Sequence, residues 1–491
     1  FQVQTAASTL QLRRRLHERA VLAAITAHVR ERDEGFAAVR DDASSVSLFQ
    51  TKITQLCRDP HRFDQVIAPG LQQDGEFGQI QCLSVASASE GSAKLARGGR
   101  RHVLDPTQLP ANGHWRDQMG SPRSLSAWWV SPRNDPSMRT DRVLARIQDM
   151  RITVLAGGIG GARFLRGLLA ELAVRLPDEN ASSGTSAEVT VIGNTGDDLW
   201  IYGLRVCPDL DTVMYTLGDG ISAERGWGRE DETFRLKDEL IAYGAQPQWF
   251  GLGDLDMATH ILRTQALNSG YTLTSITQRL CERWQPGVTL IPMSDDRVET
   301  HVLVDDPDTG TRSAIHFQEW WVRHHAALPA HEFVQVGVET AQPAPGVLDA
   351  LRNADVVLLP PSNPVVSVGT ILGVPGIRQA LRTTPAPVVG VSPIVGGAPV
   401  RGMADACLSA IGVETSAVAV ARHYGPRRNR EGGDGGGLLD GWLVDDVDAA
   451  GTAALSESGI ATIARPLLMT DVAATQAIAA AALDLAETVR R

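Results

Sequence analysis

The stretch NTGDDLWIYGLRVCPDLDT, Asn194 to Thr212, carries Asp197, Asp198, Asp209 and Asp211 with Arg205 as its single cation. Carboxylates gathered directly after an apolar strand suit a hard divalent cation such as Mg²⁺, which takes oxygen ligands and commonly shares them with a substrate phosphate. A metal between such carboxylates and a phosphate neutralises the charge that develops in phosphoryl transfer. Asp209 and Asp211, spaced i and i+2, do not share a helix face, but the turn entering the helix LDTVMYTLG after Pro208 can present both. Capping of that helix accounts for either one of them equally well, and not for all four aspartates.

A phosphate partner has a counterpart in AGGIGGARF, where Gly157, Gly158, Gly160 and Gly161 lie between an apolar strand and a helix. Backbone amides there can approach an anion at the positive end of the helix. The spacing is neither a dinucleotide fingerprint, because Gly158-x-Gly160-x-x ends in Arg163, nor a Walker loop, because no Gly-Lys-Ser/Thr follows. A purely structural turn also explains it. PPSNPVVSVGTIL and SPIVGGAPVRG follow two further apolar runs and make Ser362, Asn363, Ser392 and Gly396 candidate nucleotide contacts, with plain strand-to-helix connections as the alternative.

The elements that position these residues begin at Met150. Apolar runs at 188–193, 288–293, 355–360, 387–392 and 441–446, together with the one opening at Met150, have the continuous character of strands buried on both faces of a parallel sheet. Helices are predicted at 161–175, 230–243, 254–269, 346–353, 374–383, 401–411 and 471–490, the last capped by Thr470 or Asp471. The expected fold is α/β: a Rossmann-like, doubly wound, mostly parallel sheet over 150–491, with 218–342 as an inserted mixed α/β subdomain on the substrate side. Residues 1–149 show one amphipathic stretch at about 9–40 and then a polar run rich in Gly and Ser. They are read as a poorly ordered extension, with Met150 a candidate initiator, and Cys57, Cys82 and His102 as surface residues.

Bulk properties exclude several classes. The net charge of -11 argues against a partner such as nucleic acid, and no apolar run reaches the roughly 20 residues of a bilayer span. Five scattered cysteines form no C-x-x-C pair, so neither a zinc site nor a disulfide framework is indicated, and a reducing, cytoplasmic setting is expected.

The series ITVLAGGIGGARFL, NTGDDLWIYGLRVCPDLDTVMYTL, RGWGREDETF, WFGLGDLDMATHILRTQ, LIPMSDDRVETHV, IHFQEWWV, PPSNPVVSVGTIL, VSPIVGGAPVRGMA and PLLMTD resembles, in order, the motifs of the 2-phospho-L-lactate transferases of coenzyme F₄₂₀ biosynthesis, over residues 150–487. The resemblance implies a Mg²⁺-dependent reaction. In it the ribityl hydroxyl of the deazaflavin Fo attacks the distal phosphorus of a guanosine diphosphate conjugate of lactate or enolpyruvate. GMP leaves, and coenzyme F₄₂₀-0 or its dehydro form is produced. It further implies Asp198, Asp211 and Asp209 as metal ligands, with Asp197 joining Asp198 and Asp211 in catalysis. Gly157, Gly158, Gly160, Gly161, Ser362, Asn363 and Ser392 fall to the guanosine diphosphate, and Asn194, Trp200, His260 and Arg263 to substrate contact. Trp227, Trp320 and Trp321 are further candidates for stacking on the deazaflavin, and a homodimer follows by analogy. His260 by itself equally suits a structural histidine, and HFQEWW a strand burying its aromatics. The rival readings are a non-catalytic nucleotide-sugar-binding regulator of similar fold and, third, a dehydrogenase, against which the broken glycine fingerprint speaks.

Overall fold

The strand RITVLA, Arg151–Ala156, is buried at five of its six positions, so side chains on both of its faces pack into the protein. The computed structural model describes residues 150–306, 309–428 and 433–490. The amphipathic stretch at 9–40, Cys57, Cys82 and His102 lie outside the described residues.

Seven parallel strands form the central sheet: β1 (Arg151–Ala156), β2 (Glu188–Gly193), β5 (Thr289–Pro292), β9 (Val356–Leu359), β10 (Val388–Val391), β13 (Gly441–Val444) and β14 (Ala461–Ala464), in the order β14-β13-β10-β9-β1-β2-β5. From β1 the chain moves outward to β2 and β5, then returns to β9 on the other edge of β1 and continues the opposite way. The order thus reverses between β1 and β9, and in such sheets ligands bind in the crevice at the carboxyl ends of the strands beside that reversal. The glycine turn follows β1 and the PPSNP loop follows β9, so sequence order alone brings the two together.

Helices cover both faces. Val357 and Leu359 of β9 belong to a core shared with α6 (Val347–Asn353), α7 (Val368–Gly373), α8 (Ile377–Thr383), α9 (Ala404–Ala410), α10 (Ala417–Tyr424) and α11 (Thr452–Glu457). The alternating Val356 and Leu358, also fully buried, point to the opposite face by the two-residue period of a strand. That face is covered by α1 (Gly158–Arg175) and α12 (Val472–Val489), which pack closely on each other. α12 is long and apolar enough to span a membrane, but its residues Ile478, Ala479, Ala482, Leu483 and Ala486 are spent on this core, and Asp471 caps its first turn through Ala474 N–H at 2.8 Å.

Between β2 and β5 lie the hairpin β3 (Leu199–Ile201) and β4 (Leu204–Val206) and the helices α2 (Pro208–Leu217), α3 (Arg235–Ala242), α4 (Asp256–Asn268) and α5 (Leu273–Trp284). Tyr202 and Gly203 turn the hairpin with positive φ at both positions, as a two-residue loop matching strand twist requires. Between β5 and β9 a three-stranded antiparallel sheet forms from β6 (Glu299–Asp305), β7 (Arg312–His316) and β8 (Glu332–Val336). The region 218–342 is therefore divided by β5, the edge strand of the main sheet. HFQEWW is not a strand: β7 ends at His316 and Glu319–Arg323 winds into a π-helical turn.

The α1 and α12 backbones approach so closely that a Cβ on Gly167 would lie 2.4 Å from the carbonyl carbon of Thr475. Backbone cannot rotate aside as a side chain can. Gly167→Ala is expected to cost about 1–3 kcal/mol despite its better helix propensity, read as a lower denaturant midpoint at unchanged slope. An unchanged midpoint would show that the two helices separate freely.

Candidate active site

A cavity of about 370 Å³ opens at the carboxyl ends of the strands flanking the reversal. The glycine turn forms one wall. Gly157 and Gly160 are bare because neighbours leave no room: a Cβ on Gly157 would meet Ser367 and the Asp209 carboxylate within 2.8 Å, and one on Gly160 would lie 2.4 Å from the Pro361 carbonyl oxygen. The Ser362 hydroxyl accepts from Gly157 N–H at 3.2 Å and donates to Gly157 C=O at 2.8 Å, tying the β9 loop to the β1 turn. Ile159 and Gly160, in the first turn of α1 where N–H groups have no intrahelical acceptor, line the cavity. The turn thus packs the loops together and leaves helix-end donors facing the space.

The four aspartates diverge in pairs. Asp197 and Asp198 are consecutive, and only Asp197 lines the cavity. Asp198 is fully buried outside it, accepting from the Arg205 guanidinium at 3.0 Å while its backbone carbonyl meets His316 Nε2 at 3.2 Å. Asp209 and Asp211 both stand in the first turn of α2, but two residues in a helix are separated by about 200° of rotation. Asp209 accepts from Asn194 Nδ2 at 2.9 Å beside the glycine turn. Asp211 accepts from the Arg263 guanidinium of α4. Neither caps α2, whose first position is held by Cys207 without a side-chain bond, so capping does not explain them.

Burial raises the pKa of all four. Asp197 is held well above the usual carboxylate range by burial, then by the charge of Asp209, against a hydrogen bond from Asn194. Asp209 is pushed up to about 6 by burial, against the bonds from Asn194 and Gly158 N–H. Asp198 is likewise pushed to about 6 by burial, with Arg205 opposing, and Asp211 is raised by burial against Arg263 and His260. The pairs differ in their partners. Asp198 and Asp211 each have an arginine, whereas Asp197 and Asp209 face one another with none; one buried oxygen on each of Asp197, Asp198 and Asp211 has no hydrogen-bond partner.

Beside Asp211, His260 and Asp256 of α4 follow at i,i+4 spacing, with Nε2 of His260 3.4 Å from Asp256 and Nδ1 3.8 Å from Asp211. These three could hold a cation by distance. Arg263 already bonds Asp211 and lies 3.3 Å from His260 Nδ1, and Tyr215 OH donates to Asp256 at 2.6 Å. Arg263 thus answers one of the two carboxylates, Asp211, while Asp256 is held by His260 and Tyr215.

The opposite wall is apolar, built from Trp227, Phe250, Phe317, Trp321, Met403 and Met469. Of the tryptophans singled out in the sequence, Trp227 and Trp321 reach the cavity. Trp320 is buried in the core beneath it and donates to Leu328 C=O at 2.8 Å, and Trp200 sits on β3 with 41% of its surface exposed. Asn363 and Ser392 line the cavity but also build their own loops, the first accepting from Val365 N–H and the second bonding Ile394. Gly396 N–H is taken by Asp448, and Gly161, Asn194 and Arg263 lie behind the lining.

The family model described as 2-phospho-L-lactate transferase CofD matches residues 152–465. The chain belongs to this transferase family. A phosphoenolpyruvate transferase of Kitasatospora aureofaciens is 61% identical over 341 residues, 70% of this chain and 99% of that protein. One from Thermobifida fusca is 63% identical over 338 residues, 69% of this chain and 98% of the relative. A solved protein of Bacillus halodurans, BH3568, covers 68% of this chain and all of its own at 18% identity and a TM-score of 0.43, too loose a likeness to bear on function.

The cavity is also lined by residues that sequence reasoning passed over: Asp256, Tyr215, Phe250, Ser367 and Arg401. The i,i+4 spacing of Asp256 and His260 was the available signal. The two aspartate pairs should respond differently to substitution. In metal-free buffer Asp197→Asn is expected to raise the thermal midpoint, because it removes a buried charge that has no counterion. Asp198→Ala is expected to cost about 3–5 kcal/mol by stranding Arg205. Equal effects of the two would contradict the division.

Proposed function

We propose that this transferase moves the phosphoenolpyruvyl group of a guanosine diphosphate conjugate onto the ribityl hydroxyl of the deazaflavin Fo, releasing GMP and forming dehydro coenzyme F₄₂₀-0. The observation that carries the reading is the cavity itself, with two buried carboxylates lacking counterions on one side and helix-end amides and an aromatic wall on the others. Relatives at 61% and 63% identity, both phosphoenolpyruvate transferases, favour the enolpyruvyl donor over the lactyl one.

Asp197 and Asp209, rather than Asp198, would hold Mg²⁺, since they are hard oxygen donors that line the cavity and neither is paired with an arginine. Bound there, the ion would supply positive charge against the diphosphate. The protein's own contribution is position and electrostatics. The first turn of α1 offers N–H groups to phosphate oxygens. Ser362 keeps the β9 loop against that turn, and Trp227, Phe250, Phe317 and Trp321 provide flat apolar surface for the deazaflavin ring. The acceptor hydroxyl then attacks the distal phosphorus, the bond from that phosphorus to the bridging oxygen breaks, GMP departs with that oxygen, and the hydroxyl proton passes to the carboxylate wall.

A non-catalytic regulator gains nothing from this arrangement, because burying unpaired carboxylates weakens the fold unless a cation returns the energy. Incubation of the protein with Fo, Mg²⁺ and the enolpyruvyl or lactyl donor, followed by mass spectrometry of GMP and deazaflavin products, tests the proposal. Metal-dependent product is expected with the enolpyruvyl donor at the higher kcat/KM. Asp197→Asn and Asp209→Asn should each lower kcat by roughly a hundredfold or more, as loss of transition-state electrostatics does. Absence of product from both donors would overturn the transferase chemistry assigned here.

A further inference from the structure

The arginines lining the cavity among the described residues are Arg163 and Arg401. Arg163 stands on α1 three residues beyond Gly160, on the same helix face, and its guanidinium bonds no described residue. Burial, and then the charges of Arg401 and Arg166, lower its pKa, so the two guanidiniums are near enough to repel. Arg166 is answered by Asp219; Arg163 is not.

Arg401 has a built seat. One of its N–H groups donates to the Arg225 carbonyl at 2.8 Å, and the bare backbone of Gly226 lies flat beneath it. A Cβ on Gly226 would stand 2.9 Å from Nη1 and 3.1 Å from Nη2. Gly226 also has φ +74, a conformation glycine tolerates at little cost, and its N–H is tied to Ser222 C=O at 2.8 Å. This loop also delivers Trp227 to the cavity wall. Beyond Arg163 a second cavity of about 340 Å³ continues from the first, sharing Ile159, Arg163 and Met469 as walls.

We infer that Arg163 and Arg401 form a subsite for the carboxylate of the three-carbon acid on the donor, an inference that rests on the proposed reaction. The donor carries a diphosphate and one carboxylate. Helix-end amides and the Asp197/Asp209 side serve the phosphates, which leaves two adjacent, acid-free guanidiniums for the remaining anion. A planar fork of N–H donors matches a planar carboxylate, and a lysine does not reproduce it.

Calorimetric binding of two ligands, the enolpyruvyl guanosine diphosphate conjugate and GDP itself, separates this subsite from a phosphate contact. In Arg163→Gln and Arg401→Gln the conjugate is expected to bind roughly ten- to a hundredfold more weakly, the range of a lost charge-assisted hydrogen bond, with GDP affinity changed less than about threefold. Arg163→Lys, which keeps the charge and removes the fork, is expected to fall between, and it serves as the second variant should a glutamine variant misfold. Equal weakening of both ligands would put the arginines on the diphosphate and overturn the subsite, as would no weakening of either. Wild-type protein that binds neither ligand would overturn the donor reading and the subsite together.

Discussion

Two buried carboxylates without a counterion are the constraint around which the rest of this site is arranged. Asp198 and Asp211 are each answered by a buried guanidinium, and a paired buried charge is tolerable. Asp197 and Asp209 are not answered, and burial raises the pKa of both, which marks their ionised forms as costly to the fold. The two arginines therefore act by exclusion. By pairing one member of each sequence pair, they leave Asp197 and Asp209 as the cavity carboxylates that no arginine answers, while Asp211 lines the cavity already paired.

Holding two like charges together demands a stiff frame. Asn194, at the end of β2, donates to Asp209 and to Val366 C=O while accepting from Gly196 N–H, so one amide side chain joins the acidic loop, α2 and the β9 loop. Ser362 adds the link from that loop to the glycine turn. Both links cross the place where strand order reverses, which is also where a sheet of this topology leaves a crevice. The glycines permit the closeness. Any Cβ on Gly157 would push Asp209 away.

Charge is distributed across the cavity in a way that fits an elongated anionic ligand. Asp197 and Asp209, the guanidinium-bearing Arg163 and Arg401, and the aromatic side chains all line this one cavity. A ligand bridging a metal at one end and arginines at the other would be fixed in direction as well as position, and in-line displacement depends on that alignment.

The α/β class, six of the seven sheet strands and most long helices were legible because burial on both faces writes continuous apolar runs; the half-buried edge strand β14 and the twelve-residue α5 were not read. Short helices such as α7 and α10 escaped notice, since six to eight residues seldom complete a pattern. Residue type and clustering likewise singled out the acidic segment and the glycine turn, and both line the same cavity. Which aspartates meet the ligand was not legible. Neighbours in sequence, Asp197 and Asp198, differ only in the direction their side chains leave the loop, and the pairing of Arg205 with Asp198 and of the more distant Arg263 with Asp211 is set by packing. The sequence by itself determined that carboxylates, glycines and aromatics would meet at the strand ends, because local patterns encode strands and turns. Only the tertiary structure decided which charges were neutralised and which remained, because pairing depends on distances between elements that no local pattern records.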